Sequence, residues 1–230
     1  MSATAVSFPA ANLRFWQTTV GKKAIMAVTG VILFGFVIGH LLGNLQIFLP
    51  PEKINHYAAA LRSLPALLWG ARVTLLVSVI LHIWSSFQLW LLQREARPIN
   101  YVKKANLHST YASRTMLWSG PIIAAFVVFH LLHFTFGTVH PGGPFDKHNV
   151  YNNVVTGFQV WPVSAFYIIA MIMLCYHLYH GLWSMFQTLG FSHPVYTPWL
   201  QRLAKVVAIL IAVGNISIPV AVLAHFIKPV

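Results

Sequence analysis

Carboxylates are nearly absent from this chain. Glu52, Glu95 and Asp146 are the only three acids among 230 residues, against 15 Lys and Arg and 12 His, a formal charge of +12. With so few acids the sequence offers little for a carboxylate proton path, and no acid stands among its apolar runs to complete a zinc site. Cysteine is as scarce. Cys175 stands alone, which excludes an internal disulfide and a thiolate metal site and leaves it as a small packing side chain. Charge of either sign is low, at 8% of residues against about 25% in soluble domains. With 57% hydrophobic residues, this is the composition of an integral membrane protein. A signal peptide is not evident either, because the polar start through Gln17 has no short apolar core with a small-residue cleavage site, and the first apolar run is expected to remain as a span. Nor is there an internal repeat. The basic residues are scattered along connectors without a stripe or base-stacking motif, so the positive charge fits anionic headgroups or an acidic partner and not nucleic acid.

What is present is a series of five apolar runs, each long enough to cross a bilayer as a helix, for which about 20 residues suffice. Phe15 and Trp16 stand at headgroup level and Lys22 and Lys23 anchor the first span, 24–49, which Pro50-Pro51 ends. Residues 52–63 read as an amphipathic surface helix or loop, followed by a second span over 64–92. A basic connector with Arg94, Arg97, Lys103 and Lys104 leads to Arg114 and a third span, 115–139, closed by His140-Pro141-Gly142-Gly143-Pro144. A polar loop separates it from the fourth span, 162–189, and Pro194 and Pro198 mark the connector to the fifth, 203–227. The expected fold is all-α, a single transmembrane domain over 1–230. Arg14, Lys22, Lys23, Arg94, Arg97, Lys103, Lys104, Arg114, Arg202 and Lys205 fall on one side, and only Lys53, Arg62, Arg72, Lys147 and Lys228 on the other. The positive-inside rule then puts the N-terminus in the cytoplasm and the C-terminus outside.

Six histidines lie within the spans: His40, His82, His130, His133, His177 and His180. His40 and His130 are each about 16 residues from the cytoplasmic ends of spans one and three, near 24 Å deep. His82 and His177, in spans running the other way, lie at roughly 16 Å. The antiparallel order thus yields two level pairs on four helices, stacked along the membrane normal. This is the arrangement two bis-imidazole haems need, one nitrogen from each of two helices with the macrocycle in the bundle core. Gly35, Gly39, Gly43, Gly120 and Gly181 supply room for a flat ring; a helix-packing face is an equal reading for Gly35 and Gly39. His133 and His180, one turn from His130 and His177, offer a choice of ligand within each pair. Any one histidine taken singly reads equally well as a hydrogen-bonded packing residue or a proton carrier.

Three stretches carry a resemblance: Thr18 to Gly30 (TTVGKKAIMAVTG), Gly39 to Leu45 (GHLLGNL) and His177 to Ser184 (HLYHGLWS). Together they resemble the single-chain, five-helix, dihaem cytochrome b membrane anchors of succinate dehydrogenases and fumarate reductases, over nearly the whole chain. The resemblance implies that the first four helices surround two stacked haems b, with iron ligands His40 and His130 for one and His82 and His177 for the other. It makes His133 and His180 candidates for hydrogen bonds at a haem edge or quinone, and Arg114, Ser184 and Trp183 candidates for haem propionates. It further implies a flavoprotein subunit that holds the dicarboxylate active site, an iron–sulfur subunit docked on the cytoplasmic face, and reduction of a membrane quinone, menaquinone in two-haem relatives. Some relatives use an acidic side chain near the quinone; no span here contains one. The competing readings are an anchor for another respiratory dehydrogenase, a haem-free histidine-containing proton-coupled transporter, and a structural anchor without cofactor.

Overall fold

A computed structural model describes residues 14–96 and 109–230. Arg97, Pro98, Lys103 and Lys104 of the expected basic connector, and the first 13 residues, lie outside the described residues. Within them the chain is all-α, with seven α-helices and no strand. They are α1 (Thr19–Asn44), α2 (Pro51–Arg62), α3 (Pro65–Glu95), α4 (Tyr111–His130), α5 (Val150–Gln159), α6 (Trp161–Thr188) and α7 (Thr197–Leu223). Five segments are long and apolar enough to cross a membrane: Thr19–Phe48, Pro65–Glu95, Tyr111–Phe136, Trp161–Thr188 and Thr197–Leu223. The chain is an integral membrane protein, and the helical state follows from the solvent, because hydrocarbon leaves backbone N–H and C=O groups no partners but each other.

Local signals set the ends. Thr18 and Thr110 cap α1 and α4, their hydroxyls accepting from Gly21 N at 2.9 Å and Ser113 N at 3.1 Å. Pro51, Pro65, Pro162 and Pro198 stand in the first turns of α2, α3, α6 and α7, where a missing N–H costs nothing. After α6, Gly190 takes φ +86° and Phe191 N closes back on Phe186 O at 2.8 Å. α4 ends differently. It passes into a π-helical turn, Leu131–Phe136, stopped by Gly137 at φ +68°.

α1 packs along α3, α4 along α6, and α7 along α6, while α1 and α6 join the two pairs. One end of the bundle, here the basic end, carries Lys22, Lys23, Arg94, Arg114 and Arg202. The other is capped by α2 and α5. The densest packing is at the capped end, where Phe126, Tyr151, Val155, Phe158, Tyr167 and Met171 are buried together. Leu41, Leu178, Ala208 and Ile211 close the α1–α6–α7 seam.

Two expectations are corrected. The stretch before the fourth span is not a polar loop: α5 occupies it, with Tyr151, Val155 and Phe158 buried at i, i+4 and i+7. Asn149 caps it by accepting from Asn152 N at 3.1 Å. The asparagines lower the hydropathy of a helix only ten residues long. Lys22 is also not a headgroup anchor. It is 7% exposed and its ammonium donates to Gln88 Oε1 at 3.4 Å, whereas Lys23 is exposed.

Candidate haem-binding histidine pairs

The rings of His40 on α1 and His130 on α4 have centroids 5.6 Å apart, and those of His82 on α3 and His177 on α6 are 6.4 Å apart. The four helices thus each contribute one histidine to two crossings. Neither α1 with α4 nor α3 with α6 is a closely packed helix pair. The imidazoles therefore reach across an interval that the backbones leave open. A Cβ on Gly35, Gly39, Gly120 or Gly181 would meet nothing within 4 Å. Gly43 serves another purpose than room for a ring: a Cβ there would lie 2.7 Å from Tyr57 Cε1, so its bare backbone seats α2 against α1.

Three of the four rings are held at Nδ1 by a hydroxyl. Thr29 Oγ1 on α1 lies 3.1 Å from His82 Nδ1, Ser119 Oγ on α4 lies 3.4 Å from His177 Nδ1, and Tyr167 Oη on α6 lies 3.3 Å from His130 Nδ1. Each contact joins the two helices of one packed pair. His40 instead stacks on Phe36 one turn earlier, at 5.2 Å and 19°. Sequence reading did not single out Thr29, Ser119 or Tyr167. A lone hydroxyl in a helix commonly bonds its own backbone, and only tertiary proximity marks these three.

His133 belongs to a different environment from His130. It is fully buried, stacked on Phe134 at 3.8 Å, and its Nδ1 lies 3.1 Å from the same Tyr167 hydroxyl. Its Nε2 has no hydrogen-bond partner among the described residues and faces Gly157, where a Cβ would approach within 2.6 Å. His140, beyond the helix end, lies 5.0 Å from it ring to ring, with Nδ1 and Nε2 on the carbonyls of Gly143 and Asn153 at 2.9 and 3.0 Å. His180 has a buried Nδ1 without a partner among the described residues. At the basic end Ser184 lines a cleft of about 360 Å³ with Lys23, Gln187 and Thr188, and Trp183 beside it in sequence is half-buried. Arg114 is exposed and donates to Ser109 O at 3.0 Å.

Among the described residues no three His, Cys, Asp or Glu side chains converge as a metal cluster. The histidines meet in twos, and two imidazoles suit a metal that already carries an equatorial ligand set.

A family model for the succinate dehydrogenase/fumarate reductase transmembrane subunit matches residues 91–216, more than half of the chain. The chain belongs to this family. As such a transmembrane subunit it is part of a succinate dehydrogenase or fumarate reductase complex in the membrane. The matched residues include His130, His133, His177 and His180, while His40 and His82 precede them. Comparison with the curated proteins and with the solved structures returned no match.

Proposed function

We propose that this chain is the single-chain, dihaem membrane anchor and electron-transfer subunit of a succinate:quinone oxidoreductase, one cytochrome b domain with five spans. When bound, two haems b supply one-electron iron couples that connect an iron–sulfur subunit to a membrane quinone, menaquinone by resemblance. The observation that carries this reading is the pairing of four span histidines from four helices into two crossings. A metal–imidazole bond is about 2 Å, so a ring pair that held one metal ion would have centroids roughly 6 Å apart. The separations of 5.6 and 6.4 Å match that span, and the clear space beside Gly35, Gly39, Gly120 and Gly181 admits a planar group.

In this reading His40 and His130 hold one iron and His82 and His177 the other. Arg114, His180, Ser184 and Trp183 are the candidates for the polar haem edges. The basic end faces the cytoplasm and receives the iron–sulfur subunit, the flavoprotein subunit beyond it carries the dicarboxylate site, and the C-terminus lies outside. The buried aromatic side chains around Tyr167 keep water from the His40–His130 crossing.

The test is a reduced-minus-oxidised optical spectrum of the purified complex with haem counted per chain. Two low-spin b haems are expected. One haem makes one pair structural, and none removes the electron-transfer reading.

A further inference from the structure

The hydrogen bond between Thr29 and His82 has a direction that can be worked out. Thr29 Oγ1 lies 2.8 Å from Ile25 O and 3.1 Å from Met26 O in its own helix. Two oxygens approach to 2.8 Å only with a proton between them, so the single hydroxyl proton is committed to a backbone carbonyl. The face turned to His82 Nδ1 is then a lone pair, and His82 must donate: its proton is on Nδ1 and its Nε2 is left as a free acceptor. Ser119 occupies the matching place on the other helix pair, with longer contacts. It is fully buried, with Oγ 3.4 Å from Met116 O and 3.4 Å from His177 Nδ1. The two hydroxyls come from different helices and face the two rings of the same crossing; the short contact to Ile25 O fixes the direction at Thr29, while Ser119 stands within reach to accept from His177.

We propose that Thr29 is a positioning residue that fixes His82 in the Nδ1–H tautomer, keeping its Nε2 available as a ligand and raising its basicity, and that Ser119 serves His177 in the same way more weakly. The proposal rests on the haem reading above. An imidazole whose other nitrogen donates a hydrogen bond is a better electron donor, and loss of such a partner typically lowers metal affinity 10–100-fold. A more basic ligand favours the ferric state, so removing the acceptor raises the potential of the haem it serves. A tenfold greater loss for ferric than for ferrous iron corresponds to about 59 mV.

The experiment is a potentiometric titration of the purified complex, with haem retention measured alongside, for the unaltered chain and for Thr29→Val, Thr29→Ser and Ser119→Ala. In Thr29→Val the haem at the His82–His177 crossing is expected to bind about 10–100-fold more weakly and to titrate at higher potential, with the other haem unchanged. Thr29→Ser restores both properties. Ser119→Ala shifts the same haem in the same direction by less, its contacts being longer. Unchanged potential and retention in Thr29→Val, or in Ser119→Ala should Thr29→Val not fold, overturns the proposal. So does a Thr29→Ser variant that behaves like valine, since the methyl group and not the hydroxyl is then at work. An unaltered complex without haem fails the underlying reading instead, and is recognised before any variant is made.

Discussion

The two histidine crossings are built on opposite plans. At the His82–His177 crossing each ring is held separately, by an aliphatic hydroxyl anchored on its own helix backbone. At the His40–His130 crossing one ring shares a phenol with a buried third histidine and the other, among the described residues, has only its stack on Phe36. The first plan holds each ring by a local contact that no other ring shares. The second couples His130 to whatever His133 does, because Tyr167 has one proton and two nitrogens within reach. Packing differs in the same sense. The His40–His130 crossing sits against the dense aromatic cluster of the capped end, so its geometry is set by volume as much as by hydrogen bonding.

The largest effects come from removing a ring. His82→Ala and His40→Ala are each expected to leave one haem per chain, the survivor keeping its own potential and spectrum. Haem counting with optical potentiometry checks this. Loss of both haems in either variant breaks the comparison, because the crossings then depend on one another.

Next in size is Gly157→Ala. Its Cβ would lie 2.6 Å from His133 Nε2 and 3.2 Å from Phe134 Cε1, inside a packed cluster. Overpacking of this kind costs about 1–3 kcal/mol. The expected outcome is a lower temperature for release of the haem at the His40–His130 crossing, with the other released as before. Tyr167→Phe is milder. It deletes the hydroxyl 3.1 and 3.3 Å from His133 and His130 and costs about 0.5–1.5 kcal/mol for each net bond lost. Its signature is a shift of one potential only, at the crossing that Thr29→Val leaves alone. Equal shifts at both haems would mean that Tyr167 acts through the bundle as a whole.

The sequence made the spans and the level histidines legible for a simple reason. Helices in hydrocarbon have a fixed rise, and polar connectors end each apolar run, so depth can be counted from the nearest connector. That counting placed His40 beside His130 and His82 beside His177, and the structure brings the same rings together. What pattern could not convey depends on neighbours from elsewhere in the chain. Lys22 looks like any headgroup lysine until α3 covers it with Gln88 in reach. Gly43 looks like one more glycine leaving room for a ring, but Tyr57 of α2 lies against it. His130 and His133 are an ordinary i, i+3 pair in sequence. The π-helical turn that begins at Leu131 and a tyrosine 34 positions after His133 decide that they share one hydroxyl. α5 went unread because the run is only ten residues long and its apolar side chains are interrupted by Asn152 and Asn153.

The smallest expected effect tests whether the cap serves only the crossing beneath it. Asn55 on α2 accepts from Tyr151 N at 3.0 Å and donates to Asn149 Oδ1 at 3.4 Å, so one side chain holds the N-terminus of α5 to α2. A second tie remains without it, since Tyr151 Oη donates to Lys228 O at 3.1 Å. Asn55→Ala therefore loosens the cap without detaching it, at a cost of about 1 kcal/mol. A difference of that size raises the open fraction roughly fivefold. Reduction by a hydrophilic reductant, followed separately at the two haem signals, should accelerate by about that factor at the His40–His130 crossing and stay constant at the other. Equal acceleration at both would show that water reaches the two crossings by a common route, and that the aromatic packing around Tyr167 does not isolate the one it surrounds.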